Sequence, residues 1–93
     1  MTRGGGAYEV EWGSPALRTI ERLPEKAAVA AVEFIYASLA AEPHPVGRPL
    51  RFDLEGRHSA RRGDYRIIYR IDDEAHTVVI DAIAHRSDVY RPR

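Results

Sequence analysis

The stretch from Arg57 to Ala84 restricts the fold more than any other part of this chain. Three runs in it read as strands: Arg57 to Arg62, Tyr65 to Ile71 and His76 to Ala84. They are separated by Gly63-Asp64 and by Asp72-Asp73-Glu74. Such short, polar, glycine- or aspartate-bearing breaks are the chemistry of tight hairpin turns. The last run is rich in β-branched residues, which suit a pleated surface. Three consecutive strands joined by short turns predict an antiparallel meander, and its apolar face must be buried against another layer.

The upstream half supplies that layer. Tyr8, Val10 and Trp12 alternate with Glu9 and Glu11, the pattern of a half-buried strand. Ser14-Pro15 then offers an N-cap and a proline for the first helical position. Leu17, Ile20 and Leu23 form a short apolar stripe, which Pro24 interrupts because proline cannot continue the hydrogen-bond ladder. A second helix, rich in alanine, is predicted from Pro24 to about Ala41, with Ala28, Val32, Ile35 and Leu39 on its buried face. The Pro43, Pro45, Gly47 and Pro49 segment is a loop. Leu50, Phe52 and Leu54 alternate with charged residues in a short extended piece that Gly56 ends. Ser87 to Tyr90 is at most one helical turn. The predicted order is β-α-α-β-β-β, an α+β fold with a helical hairpin on one face of an antiparallel sheet. All 93 residues form a single domain, with a flexible glycine-rich start at residues 1–6.

The composition excludes several classes. There is no cysteine, so neither disulfide nor thiolate chemistry is available. No apolar run approaches the ~20 residues of a membrane span. No apolar segment follows Thr2 to Gly6, so no signal peptide is expected and the protein is read as cytosolic. Formal net charge is zero, but the average hides a gradient. Residues 48–93 carry ten arginines against eight acids, and residues 57–71 carry five arginines against one acid. The positive charge is local, as a binding site requires.

Strand alternation decides where those arginines point. Tyr65, Ile67, Tyr69 and Ile71 share an apolar face that belongs under the helices. Arg66, Ile68 and Arg70 then point to the open face. Arg57, Ser59 and Arg61 share one face of the preceding strand, and a turn at Gly63-Asp64 brings them beside Arg66. Guanidinium groups are permanently charged planar donors that match phosphate oxygens. The plain alternative for Arg66 is an ion pair with a carboxylate such as Asp81. Trp12, Tyr65 and Tyr69 read as core rather than as stacking platforms for bases.

Several pieces together carry a family resemblance: the Arg22-Leu23-Pro24-Glu25-Lys26 junction, the Asp53-Leu54-Glu55-Gly56 turn, Ser59-Ala60-Arg61-Arg62-Gly63-Asp64-Tyr65-Arg66-Ile67-Ile68-Tyr69 and His85-Arg86-Ser87-Asp88-Val89-Tyr90. The chain resembles the RelE/ParE superfamily, the toxins of bacterial type II toxin–antitoxin pairs, over nearly its whole length. The branch looks closer to RelE-type messenger RNA interferases than to ParE-type gyrase poisons. The resemblance implies a ribosome-dependent endoribonuclease that cuts messenger RNA in the ribosomal A site and is neutralised in a hetero-oligomer with a cognate antitoxin. It also implies catalytic roles for Arg66, Arg86 and Tyr90. Lysines that the family carries on the strand before the turn are missing; Arg57 and Arg61 are the nearest basic replacements, and Ser59 stands where one lysine would be.

The expected reaction is metal-free attack of an RNA 2′-hydroxyl on the adjacent phosphorus. Arg66 and Arg86 would stabilise the charged five-coordinate phosphate. Tyr90 is the family-implied base, and His85 and His58 are alternatives because imidazole titrates near neutrality. Arg57, Ser59, Arg61, Arg62 and Arg70 complete the expected RNA-binding set. No cofactor is expected, and no metal-ligand spacing links His44, His58, His76 and His85. Two other functions fit the missing lysines: a gyrase inhibitor of the ParE kind, and a catalytically weak antitoxin-binding relative.

Overall fold

A computed structural model describes residues 7–50 and 56–85. Its elements in chain order are β1 (Glu9–Trp12), α1 (Ser14–Arg22), α2 (Glu25–Phe34) continued by a π-helical turn (Ile35–Leu39), a short α3 (Pro43–Val46), β2 (Arg48–Pro49), β3 (Arg57–Arg62), β4 (Tyr65–Asp72) and β5 (Thr77–His85). They build one five-stranded sheet in the order β1-β5-β4-β3-β2. The α+β class and the three-strand meander are as expected. The sheet is not wholly antiparallel, because β1 runs parallel to β5, with Val10 opposite Val78 and Trp12 opposite Ile80. The two helices carry the chain away from β1 before the meander begins, and only the far edge of β5 is left for β1 to join.

The meander register follows the turn chemistry. Gly63 has φ +61°, a left-handed value that costs glycine nothing, and it sets Arg62 opposite Tyr65 and Arg61 opposite Arg66. β5 begins one residue later than expected, at Thr77, because His76 itself takes φ +55° in the turn. Between β4 and β5 the register slips: Ile68 faces Ala82 and Tyr69 faces Ile80. Asp81 is therefore an extra residue in β5, a β-bulge. Ile80 and Ile83 both face the core on either side of it, which strict alternation would forbid.

The core lies between the helices and one sheet face. It contains Ala16, Ile35, Leu39, Ala60, Ile67, Tyr69, Val78, Ile80 and Ile83, with Tyr8, Val10, Trp12, Ile20 and Tyr65 packed around it. Gly13 rather than Ser14 occupies the N-cap of α1. The expected stripe through Leu17 is wrong: Ala16 is fully buried and Leu17 is 46% exposed. Ala16 and Ile20 are four apart and share the sheet-facing side, whereas Leu17 lies about 100° further round the helix. In the second helix Ile35 and Leu39 are buried as expected. There the ladder widens, and the Ala40 N–H donates to the Ile35 carbonyl at 2.8 Å. The Ala40 carbonyl then accepts from the Tyr8 N–H at 2.8 Å, tying β1 to the end of this helix. The Leu50 to Leu54 segment falls mostly outside the described residues, as does the Ser87 to Tyr90 turn. Arg48–Pro49 is a strand where only loop was expected.

Ile67 is fully enclosed and Leu17 is half-exposed, so truncating each should separate them clearly. Ile67→Ala is expected to cost about 2–5 kcal/mol of unfolding free energy, and Leu17→Ala under about 0.5 beyond its small propensity gain. Urea unfolding of both variants checks this.

Candidate nucleic-acid interface

The face of the sheet away from the helices presents arginines in two cross-strand pairs. Arg57 lies opposite Arg70, and Arg61 opposite Arg66. Like charges directly opposite repel, and the two pairs meet this cost differently. Asp81, which lies at the bulge, accepts two hydrogen bonds from Arg70, Nε to Oδ2 and Nη2 to Oδ1, both at 2.9 Å. It also faces Arg57 Nε at 3.3 Å. These hydrogen bonds, reinforced by the carboxylate charge, raise the pKa of Arg70 further. Asp81 thus balances arginines as the sequence suggested, but its partners are Arg70 and Arg57, not Arg66. No described carboxylate is ion-paired with Arg61 or Arg66.

Beside the second pair lies a cleft of about 480 Å³, lined by Val46, Gly47, Arg48, Ser59, Ala60, Arg61 and Arg66. Among the described residues it is lined by three arginines, one hydroxyl and no carboxylate. Its outer wall is the segment from α3 into β2. Two features fix that wall. The Tyr69 hydroxyl donates to the Pro43 carbonyl at 2.7 Å. Gly47 is buried so tightly that an added Cβ would collide with the Tyr69 hydroxyl and lie 2.7 Å from the Ser59 carbonyl oxygen. Burial pushes the Tyr69 phenol up to about 12, so it stays protonated and serves as a donor.

Other expected site residues lie elsewhere. Arg62 and His85 both face the helix side, each opposite Tyr65. Arg62 lines a small hollow with Ala27, Ala30 and Ala31 of α2. The His85 ring meets the Tyr65 ring edge-on at 5.1 Å. Arg62 and His85 are thus corrected away from the open face, because each is one alternation step out of phase with Arg66 or Arg61. His58 is also on the helix side, its ring 5.5 Å from that of Tyr69. Arg86 and Tyr90 lie outside the described residues. Of the expected residues, the fold brings together Ser59, Arg61 and Arg66 at the cleft, and Arg57 with Arg70 beside it.

A second polar cluster occupies the opposite end of the helix side. The Tyr8 hydroxyl donates to Asp73 Oδ1 at 2.6 Å, and His44 Nε2 lies 3.0 Å from the same oxygen. The Tyr8 bond, with His44 adding to it, lowers the Asp73 carboxyl below its ordinary range. Burial, with the nearby His44, lowers the His58 imidazole. Among the described residues no group of three or more His, Cys, Asp or Glu is placed to hold a metal ion.

The family profile described as "ParE toxin of type II toxin-antitoxin system, parDE" matches residues 10–90. The chain belongs to the RelE/ParE superfamily of type II toxins. It is 56% identical to the toxin RelE of Mycobacterium tuberculosis over 84 residues, covering 90% of this chain and 87% of that toxin. It is 50% identical to the toxin RelG of the same organism, covering 90% and 97%. Its fold matches a chain of the solved toxin–antitoxin complex RelBE2, also from Mycobacterium tuberculosis, with a TM-score of 0.84 and 48% identity over 89% of this chain and 95% of that one.

Sequence reading of this RelE/ParE chain missed Arg48. It sits in a proline-rich stretch that looked like plain loop, and only pairing with Ser59 brings it to the cleft. Its one local signal is the Gly47-Arg48 step, a residue without a side chain followed by a charge. The bulge at Asp81 left no sequence signal beyond an acid inside an otherwise apolar strand.

Two outcomes follow from this geometry. Asp81→Asn releases the Arg57 and Arg70 charges, so the log–log salt dependence of RNA oligonucleotide binding should steepen by about 1–2, measured by fluorescence anisotropy. For pH, the unfolded chain protonates His58 near 6.5, while the folded chain does so only at lower pH. Stability should therefore fall as pH drops below about 7, and fall again below about 4 as Asp73 is protonated. Urea midpoints at pH 7.5 and 5.5 should differ, and His58→Gln should narrow the gap.

Proposed function

We propose that this chain is a toxin of a type II toxin–antitoxin pair that acts in the cytosol as a ribosome-dependent messenger RNA endoribonuclease. The observation that carries the reading is the cleft in which Arg61 and Arg66 stand opposite each other without a described carboxylate partner. The 56% identity to a RelE toxin supports it. A phosphodiester entering that cleft would meet fixed positive donors on its non-bridging oxygens. In the reaction, the 2′-oxygen bonds to phosphorus, the 5′-oxygen leaves, and a cyclic phosphate remains. Arg66 stabilises the added charge of the five-coordinate phosphate, with Arg86 as its proposed second donor. Tyr90, as a phenolate favoured by neighbouring guanidinium groups, is proposed to take the 2′-proton, and the leaving 5′-oxygen takes up a proton from solvent. A base role for His85 has no support in its position beside Tyr65, on the far side of the sheet from Arg66.

The partner proposed is a cognate antitoxin. The match to a toxin solved in a toxin–antitoxin complex supports this. An antitoxin segment carrying acidic side chains would offset the unpaired arginines.

Purified chain added to translating ribosomes, with messenger RNA ends mapped, tests the activity. Cuts within codons are expected, and Arg66→Ala should reduce them by about 10²–10³ while leaving the unfolding midpoint unchanged. A parallel gyrase supercoiling assay decides the alternative. Stalled gyrase with intact messages would replace the nuclease reading with the ParE-type one.

A further inference from the structure

We propose that Arg48 is an RNA-binding residue of the cleft, holding a backbone phosphate next to the one held by Arg61 and Arg66, and that Tyr69 positions it. The identity of the ligand as RNA rests on the nuclease reading; the anion site itself rests on geometry.

Arg48 is exposed and stands opposite Ser59, on the same sheet face as Arg57 and Arg61. It lines the cleft from the wall opposite Arg66. Arg48 pairs with Ser59, and Ser59 with Ile68, so Arg66 lies two strands across and two residues along, about 12 Å from Arg48 at the backbone. Extended straight off the sheet, the two guanidinium groups stand over different points of the cleft rather than over one phosphate. That spacing suits a strand of nucleic acid whose neighbouring phosphates each meet an arginine. Asp81 already engages Arg57 and Arg70, so among the described residues Arg48, Arg61 and Arg66 are the arginines of this face without an ion pair.

The wall that carries Arg48 is held from behind. Tyr69 reaches from the core to the Pro43 carbonyl, at the start of the segment, and its hydroxyl fills the space that a Gly47 side chain would take. Downstream, the Leu50 N–H donates to the Arg57 carbonyl at 2.8 Å. The backbone of Arg48 is fixed at both ends of its two-residue strand, so its Cα stands at a set distance from β3 and β4. Tyr69 touches no ligand; its role is to set that distance.

The test uses the full chain and a labelled 2′-O-methyl RNA oligonucleotide, which lacks the attacking hydroxyl and stays intact. Binding is followed by anisotropy across a salt series. Arg48→Ala should weaken binding about tenfold at low salt and reduce the log–log salt slope by about 1, with an unchanged melting curve. Arg48→Lys should restore the slope. Tyr69→Phe should weaken binding in the wild-type background and have little effect in the Arg48→Ala background, a coupling that general destabilisation would not produce. An Arg48→Ala variant with wild-type affinity and slope overturns the proposal, as does a wild-type chain whose oligonucleotide binding ignores salt. Arg48-dependent binding together with uncut messages on ribosomes would remove the nuclease reading and leave this anion site standing.

Discussion

β4 is both the centre of the core and the floor of the candidate site, and the two-residue period of a strand makes these roles inseparable. Ile67 and Tyr69 are fully buried against the helices. Arg66 and Arg70, one step away along the same backbone, face the other way. The register that buries the isoleucine is the register that aims the arginine. A slip of one residue would expose the core and bury two charges, so the packing energy of the helical layer enforces the position of the site.

Asp81 then divides the arginines into two groups. As a surface ion pair its clamp on Arg70 and Arg57 contributes at most about 1 kcal/mol, because both guanidinium groups remain in contact with water. Its larger effect is on charge. It offsets repulsion at one end of the β3–β4 pair, while Arg61 and Arg66 at the other end have no ion pair among the described residues. The bulge reconciles this with the core: with Ile80 inward, alternation turns Asp81 outward, and the extra residue in β5 returns Ile83 to the buried face.

Tyr69 links the core to the edge of the sheet. Its ring is buried and its hydroxyl holds the Pro43 to Arg48 segment in place. The cleft is therefore a consequence of core packing rather than a loose surface loop. Membership of the RelE/ParE superfamily accounts for the scaffold. In this chain arginines and a serine occupy the strand before the turn.

The amino-acid order alone was enough for the meander, the helical layer beneath it and the face of Arg57, Ser59, Arg61, Arg66 and Arg70, because alternation and turn chemistry are local properties read along the backbone. Leu17 was misplaced because three apolar residues leave the phase of a short helix open until it docks. Arg62 was grouped with the site as part of the arginine cluster and His85 because imidazole titrates near neutrality; strand alternation puts both on the other side of the sheet. The parallel pairing of β1, the bulge at Asp81 and the arrival of Arg48 beside Ser59 all depend on segments distant in the chain. Each is decided by which backbone edge remains unpaired once the core has closed, and that is settled only in three dimensions.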